Sequence, residues 1–256
     1  MACAAAILVG LDAGRALGWG APGHAIVARA ALAASADLPA WFREARPALA
    51  ELAGAPDRWR EVDQTVPALA ARRPDHFFDL DVWGMERLPP DRWSYVERAG
   101  RRRLAPAGIG FLPYAITEEY GVLLSAFRDA RDGRAGGQEA AVVAAGVLAH
   151  LAGDAAVPLH ATRHHHGWIG PNPRGYTTDA GVHRWFETDM VERIAGETRA
   201  GPGADEAMPD VAAAIAAALA DSLGQVPRLY AAERASRVEA DDGPARRLVA
   251  ERLGAG

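Results

Sequence analysis

The chain has 256 residues, half of them apolar, and a formal net charge of −5. That is chain enough for one substantial core, and the acidic balance argues against a protein that reads duplex DNA through a basic face. Cys3 is the single cysteine, so an intrachain disulfide framework and a thiolate zinc site are both excluded, and any metal centre must use His and carboxylate.

Residues 1–18, MACAAAILVGLDAGRALG, read as a secretory signal peptide. A short apolar run over 4–11 is followed by Ala16-Leu17-Gly18, a small-x-small cleavage pattern. This predicts export, to the periplasm or the medium, with residues 19–256 as the mature domain. No stretch is long enough to cross a membrane. Pro22 and Gly23 precede the apolar positions Ile26, Ala30 and Ala33, which places His24 in the first turn of a helix. A second helix is predicted over 39–52, and residues 56–60 form a loop or a helix start after Gly54. The proline-rich segment 88–113 reads as a connection, and its run Arg101-Arg102-Arg103 reads as solvated surface. A helical apolar pattern covers 114–131 and closes at Asp132-Gly133. Residues 138–154 are almost wholly apolar, the mark of a central, buried helix. A loop rich in Gly and Pro follows over 162–181. A further helix starts at Gly181 and runs to about 200, where Pro202 and Gly203 break it. Residues 210–232 and 244–253 give two more. The bias toward Ala, Leu and Arg supports helix throughout. There is no convincing alternating strand, no repeat, no phosphate-loop glycine pattern and no Gly-x-Ser-x-Gly. The expected fold is all-α, a single-domain multi-helix bundle.

The chemistry concentrates between His150 and Glu187. His150/Asp154 and His183/Glu187 each stand four residues apart, a spacing that stacks both side chains on one helical face. Such pairs aim two ligands at one point from a rigid backbone. One pair occurs often by accident. Two pairs with His160 between them point to a polynuclear metal site, and a buried helix does not end in His and Asp unless something satisfies them. Imidazole and carboxylate without thiolate suit a catalytic Zn²⁺ centre.

The order Trp-x4-His, Asp-x2-Arg, His-Phe-x-Asp, His-x3-Asp-x5-His and His-x3-(Asp/Glu) resembles a superfamily of trinuclear zinc phosphodiesterases, over Trp19 to about Ile194. Its branches are the single-strand-specific nucleases of fungi and plants and the bacterial zinc-dependent phospholipases C. The resemblance implies three Zn²⁺ ions and a bundle of that type. It implies that Trp19, exposed as the mature N-terminus, chelates one ion through its amine and carbonyl, with His24 beside it. Asp154 would bridge that ion to a second one held by Asp57, His76 and His150. The third would sit on His160, His183 and Glu187. Hydroxide between the bridged ions would attack the phosphodiester, since zinc lowers the pKa of water to about 7. Asp57 would also serve as a base, Arg60 would approach the scissile phosphate, and Phe77 and Asp79 would hold a nucleobase.

Several features resemble the nuclease branch: the short Trp19–His24 spacing, Asp57-x2-Arg60, His76-Phe77-Phe78-Asp79, Pro158-Leu159-His160 and the gap from His160 to His183. Phe186-Glu187 resembles the phospholipases instead, and the nuclease Gly-Gly-Asn signature is missing from the loop after His160. The expectation is therefore hydrolysis of single-stranded nucleic acid or nucleotides. Phospholipid head groups are the alternative substrate, and a non-catalytic protein with structural zinc is a third reading. No stable protein partner is predicted. Phe77 reads equally as a core aromatic. The run His164-His165-His166 reads as a solvated loop, with lining the substrate mouth or binding adventitious metal as the alternatives, and Trp168 and Tyr176 are candidates for stacking on a base.

Overall fold

A computed structural model describes residues 19–34, 37–59, 66–194 and 210–256. The signal-like segment 1–18 and Arg60 lie outside the described residues. Among those residues the regular elements are helical, and the one β feature is an isolated antiparallel bridge between Phe78 and Gly110. The expected all-α fold is what is observed.

In chain order the helices are α1 (Gly20–Ala34), α2 (Ala40–Glu44), α3 (Arg46–Leu52), α4 (Ala55–Trp59), α5 (Pro67–Ala70), α6 (Leu80–Trp83), α7 (Arg92–Arg101), α8 (Pro106–Ile109), α9 (Leu112–Arg131) and α10 (Gly137–Ala155). They continue with α11 (Val182–Arg184), α12 (Met190–Ile194), α13 (Val211–Glu239) and α14 (Gly243–Leu253). Short 3₁₀ turns at Arg73–His76 and Pro158–Ala161 carry His76 and His160. A π-helical turn, Trp185–Asp189, joins α11 to α12.

α10 is the central element, as its composition predicts. Ala, Val, Leu and Gly cover nearly all of its surface, so neighbours can approach on several sides, and α9, α3, α1 and α13 pack on it. Gly153 shows why small residues are useful. A Cβ there would stand 3.1 Å from His24 Nδ1 and 3.4 Å from the Trp19 ring, so a larger residue would press His24 and Trp19 away. The apolar interior falls into three clusters. One joins α1, α12, α13 and α14 around Trp19, Phe186 and Tyr230. Another joins α6 to α10 around Phe78, Trp83 and Tyr95. The third packs Phe42 and Leu49 on Ala126 and Ala141.

Three boundaries differ from the sequence expectation. Segment 39–52 is not one helix but two, α2 and α3, interrupted at Ala45. Segment 88–113 is not mere connection: it contains α7 and α8. Asp91 caps α7 by accepting from the backbone N–H groups of Trp93 and Ser94, and Tyr95 and Ala99 bury one face four residues apart. Prolines on both sides hid a short helix that tertiary packing sustains. The helix expected from Gly181 carries the π turn in its middle, and residues 195–209 lie outside the described residues. Arg101, Arg102 and Arg103 are exposed, as expected, and Arg102 also donates to the Trp83 carbonyl at 2.7 Å and covers the Trp83 ring at 4.4 Å.

Candidate metal centre

The end of α10 delivers His150 and Asp154 side by side, both fully buried. His24 arrives from α1, Asp57 from α4, His76 and His160 from the two 3₁₀ turns, and His183 and Glu187 from α11 and the π turn. All eight are buried in a protein interior. Their donors form three groups in which the ligand atoms lie within 4.8 Å of one another: His24, Asp57 and His150; His76, His150 and Asp154; and His160, His183 and Glu187. Each group is able to hold a metal ion. The third is the trio expected from the sequence. The first two share His150, and Asp57, expected with His76 and His150, groups instead with His24 and His150, 3.9 Å from the Nε2 of each.

Asp154 is the hub. Its Oδ1 lies 3.6 Å from His24 Nε2 and 3.3 Å from His160 Nδ1. Its Oδ2 lies 3.0 Å from His76 Nδ1 and 3.2 Å from His150 Nε2. His24 and His150 stack with ring centroids 3.8 Å apart. On the far side, His160 Nε2 and His183 Nε2 approach to 3.2 Å, and Glu187 Oε1 lies 2.7 Å from His183 Nε2. The wide turn of the π segment still returns Glu187 to the side of His183. Single π turns of this kind are frequent at functional sites.

One backbone group orients the cluster. His150 Nδ1 donates to the Ala53 carbonyl at 2.8 Å, and a carbonyl only accepts, so the proton is on Nδ1. In the neutral ring, Nε2 then offers a lone pair toward His76 Nδ1, 3.0 Å away, and toward two carboxylates. This is the hydrogen bond that metal-ligating imidazoles usually make on their second nitrogen.

The donor set fits a divalent cation. Both ring nitrogens of His24, Oδ1 of Asp154 and Nδ1 of His183 are buried without a hydrogen-bond partner. Such atoms cost free energy unless a positive centre takes them up. The electrostatics agree. Burial lowers His24 well below the usual imidazole range, and the neighbouring His150 adds to this. Burial also opposes charge on His150, but Asp154 and Asp57 outweigh it and raise its pKa. Burial likewise opposes charge on Asp154, yet His150 and His160 hold its carboxyl well below the usual carboxylate range. Glu187 is lowered in the same way by His183 and His160 against burial. The cavity therefore favours ionised Asp154 and Glu187 and a charged His150, while holding His24 neutral.

Trp19 is buried against this cluster. Its indole Nε1 donates to the Gly153 carbonyl at 2.9 Å, and its own carbonyl accepts from the Gly23 N–H at 3.2 Å. One lone pair of that carbonyl stays available to an ion. Phe77 and Phe78 divide the two roles left open for the aromatic pair. Phe78 is fully buried in the core, whereas Phe77 is partly exposed and faces His165, ring centroids 6.0 Å apart. Asp79 is buried with Oδ1 unpartnered by any hydrogen bond, and burial and Asp81 push its pKa up to about 7.

The loop 162–181 departs from expectation. Its tip is anchored, not solvated throughout. The Thr162 hydroxyl donates to Asp81 Oδ2 at 2.8 Å, and the Arg163 N–H donates to Asp81 Oδ1 at 3.1 Å. His164 is buried and stacks on Trp168 with centroids 4.0 Å apart and planes 3° off parallel. Trp168 and Tyr176 are not stacking platforms for a substrate: both pack on Tyr230 and belong to the core around it. Spacing rules carry no signal for Ala53, Asp81 or the anchored histidines, because their roles arise from chain segments far apart in sequence.

Among the described residues no helix is long and apolar enough to cross a membrane. No protein-family model matches the chain, and no curated protein or solved structure matches it either.

Proposed function

We propose that the chain is an exported zinc-dependent phosphodiester hydrolase acting on single-stranded nucleic acid, with a bundle of the zinc nuclease and phospholipase C type. The observation that carries this reading is the end of α10: His150 belongs to two adjacent donor groups, and the oxygens of Asp154 lie 3.0–3.6 Å from imidazoles of all three groups. Neighbouring donor groups with a carboxylate between them suit a polynuclear centre, and His/carboxylate donors suit zinc. Bound there, the ions would lower the pKa of water toward neutrality and offset the negative charge of a phosphodiester.

The chain's own residues would do the rest. Asp154, His76, His150, His24 and Asp57 would hold one pair of ions, with the amine and carbonyl of a processed Trp19 completing it. His160, His183 and Glu187 would hold a third. Asp57 would take a proton from the attacking water. Asp79 Oδ1, buried and free of hydrogen bonds, would accept from an exocyclic amine or ring N–H of a base, with the partly exposed Phe77 ring against the base face. Arg60 would contact phosphate in the proposed scheme, though it lies outside the described residues. One residue favours a phospholipid head group as the second reading: Glu187 in place of a shorter Asp.

Zinc-loaded protein assayed side by side on single-stranded DNA and phosphatidylcholine vesicles separates the two. Turnover of DNA supports the reading. Hydrolysis of lipid alone replaces it with the phospholipase. Binding of a single ion with neither activity leaves a structural-zinc protein. N-terminal sequencing of exported protein should begin at Trp19, and an intact Met1 would remove the amine ligand.

A further inference from the structure

The third donor group offers three protein ligands, and zinc prefers four. His166 is the nearest unassigned candidate for the remaining position. With Zn–N bonds of 2.0–2.1 Å, two imidazoles on one tetrahedral ion place their ring centroids about 5 Å apart. His160 and His183 are 5.2 Å apart by that measure, and His166 and His183 are also 5.2 Å apart. His165 is further, at 6.2 Å, and its Nδ1 is committed to the Thr162 carbonyl at 3.0 Å. His166 also interacts electrostatically with all three members of the group, His160, His183 and Glu187.

The backbone on both sides of His166 is fixed. Before it, the His164 carbonyl accepts from the Tyr230 hydroxyl, and His164 Nδ1 accepts from the Ile169 N–H at 3.0 Å. After it, Gly167 has φ +95°, and a Cβ there would stand 2.4 Å from the Thr178 carbonyl oxygen, so only glycine fits. The Trp168 N–H then donates to the Thr177 carbonyl at 2.9 Å. His166 is thus an exposed ring, able to turn about its side-chain bonds, on a backbone held at both ends.

We infer that His166 is a fourth protein ligand of the His160, His183 and Glu187 site, closing it on the solvent side when no substrate is bound. The inference rests on the proposed trinuclear reading. It makes this site differ from one completed by water: a substrate oxygen must displace an imidazole to reach the ion.

The test uses metal-free mature protein beginning at Trp19 and loaded with Co²⁺, whose visible absorption reports coordination. Wild type, His166→Ala, His166→Gln and the loop control Arg163→Ala are compared for ions bound, band intensity and release into a chelator. Wild type and Arg163→Ala should match, with three ions each. Both His166 variants should bind three, with weaker absorption and about tenfold faster release of one of them. Identical spectra and release rates in all four proteins, each with three ions, overturn the fourth-ligand role and leave the trinuclear reading standing. Fewer than three ions in wild type overturns that reading and the role of His166 with it.

Discussion

The two oxygens of Asp154 face four imidazoles that arrive from four separate segments. Asp154→Asn keeps the shape but removes the charge that both ion groups would share. It should abolish turnover and weaken metal binding at least about tenfold, while far-UV circular dichroism stays that of a helical protein. A variant with normal activity would remove the bridging role. Asp79 makes a different prediction, because its folded pKa of about 7 lies above the unfolded value of about 3.9. Folded protein then holds the extra proton between these values. Stability is unaffected by this group below about pH 4, falls as pH rises through the window, and carries the full penalty above 7. In metal-free protein, Asp79→Asn should therefore raise Tm at pH 8, with a gain that shrinks toward pH 4. A gain independent of pH would mean that the carboxyl is not burdened by its ionisation. The ligand pairs were legible in the sequence because an i, i+4 His/Asp pair stands out on a helix of Ala, Val and Leu. The carbonyl of Ala53, which sets the tautomer of His150, was not, since any residue supplies a carbonyl and only the fold brings this one near.

At the scale of elements, the C-terminus of α10 must stay in register for Asp154 to reach its partners. Two side chains from later helices hold it. Ser222 of α13 donates to the Ala155 carbonyl at 2.6 Å, and Arg252 of α14 donates to the Ala156 carbonyl at 2.8 Å. Arg252 is buried, also bonds Ser222 at 2.9 Å and pairs with Asp221. A cation at this end of the helix complements its dipole as well as its open carbonyls. Arg252→Ala should cost about 2 kcal/mol in urea unfolding, and an unchanged midpoint would show that water replaces the guanidinium at no loss. Nothing in the apolar pattern of these C-terminal helices marks Arg252 from the other arginines. α7 was missed for a related reason: its prolines were visible, but the burial of Tyr95 and Ala99 against α6 and α9 was not. The long helices α9, α10 and α13 were legible because their apolar runs are long enough to outweigh local ambiguity.

On the scale of the whole molecule, donors come from His24 through to Glu187, carried by α1, α4, α10, α11, the two 3₁₀ turns and the π turn. Metal that binds only the folded arrangement adds to its stability, about 2.7 kcal/mol for each ion present at a hundred times its Kd. Chelation should therefore lower Tm by roughly 5–10 °C per ion lost in calorimetry. A transition that does not move would show that the cluster is folded and satisfied without metal. The lone cysteine gives this arrangement a further meaning. Many proteins rely on disulfide cross-links, and with one cysteine this chain cannot make one within itself. Loaded with ions, residues as distant as His24 and Glu187 become tied through one inorganic knot, which shrinks the entropy of the open chain much as a disulfide would. Unlike a disulfide, that knot ignores the redox state of the surroundings and answers to the supply of free metal. Under the proposed export and zinc binding, resistance to proteases would then be set by zinc availability.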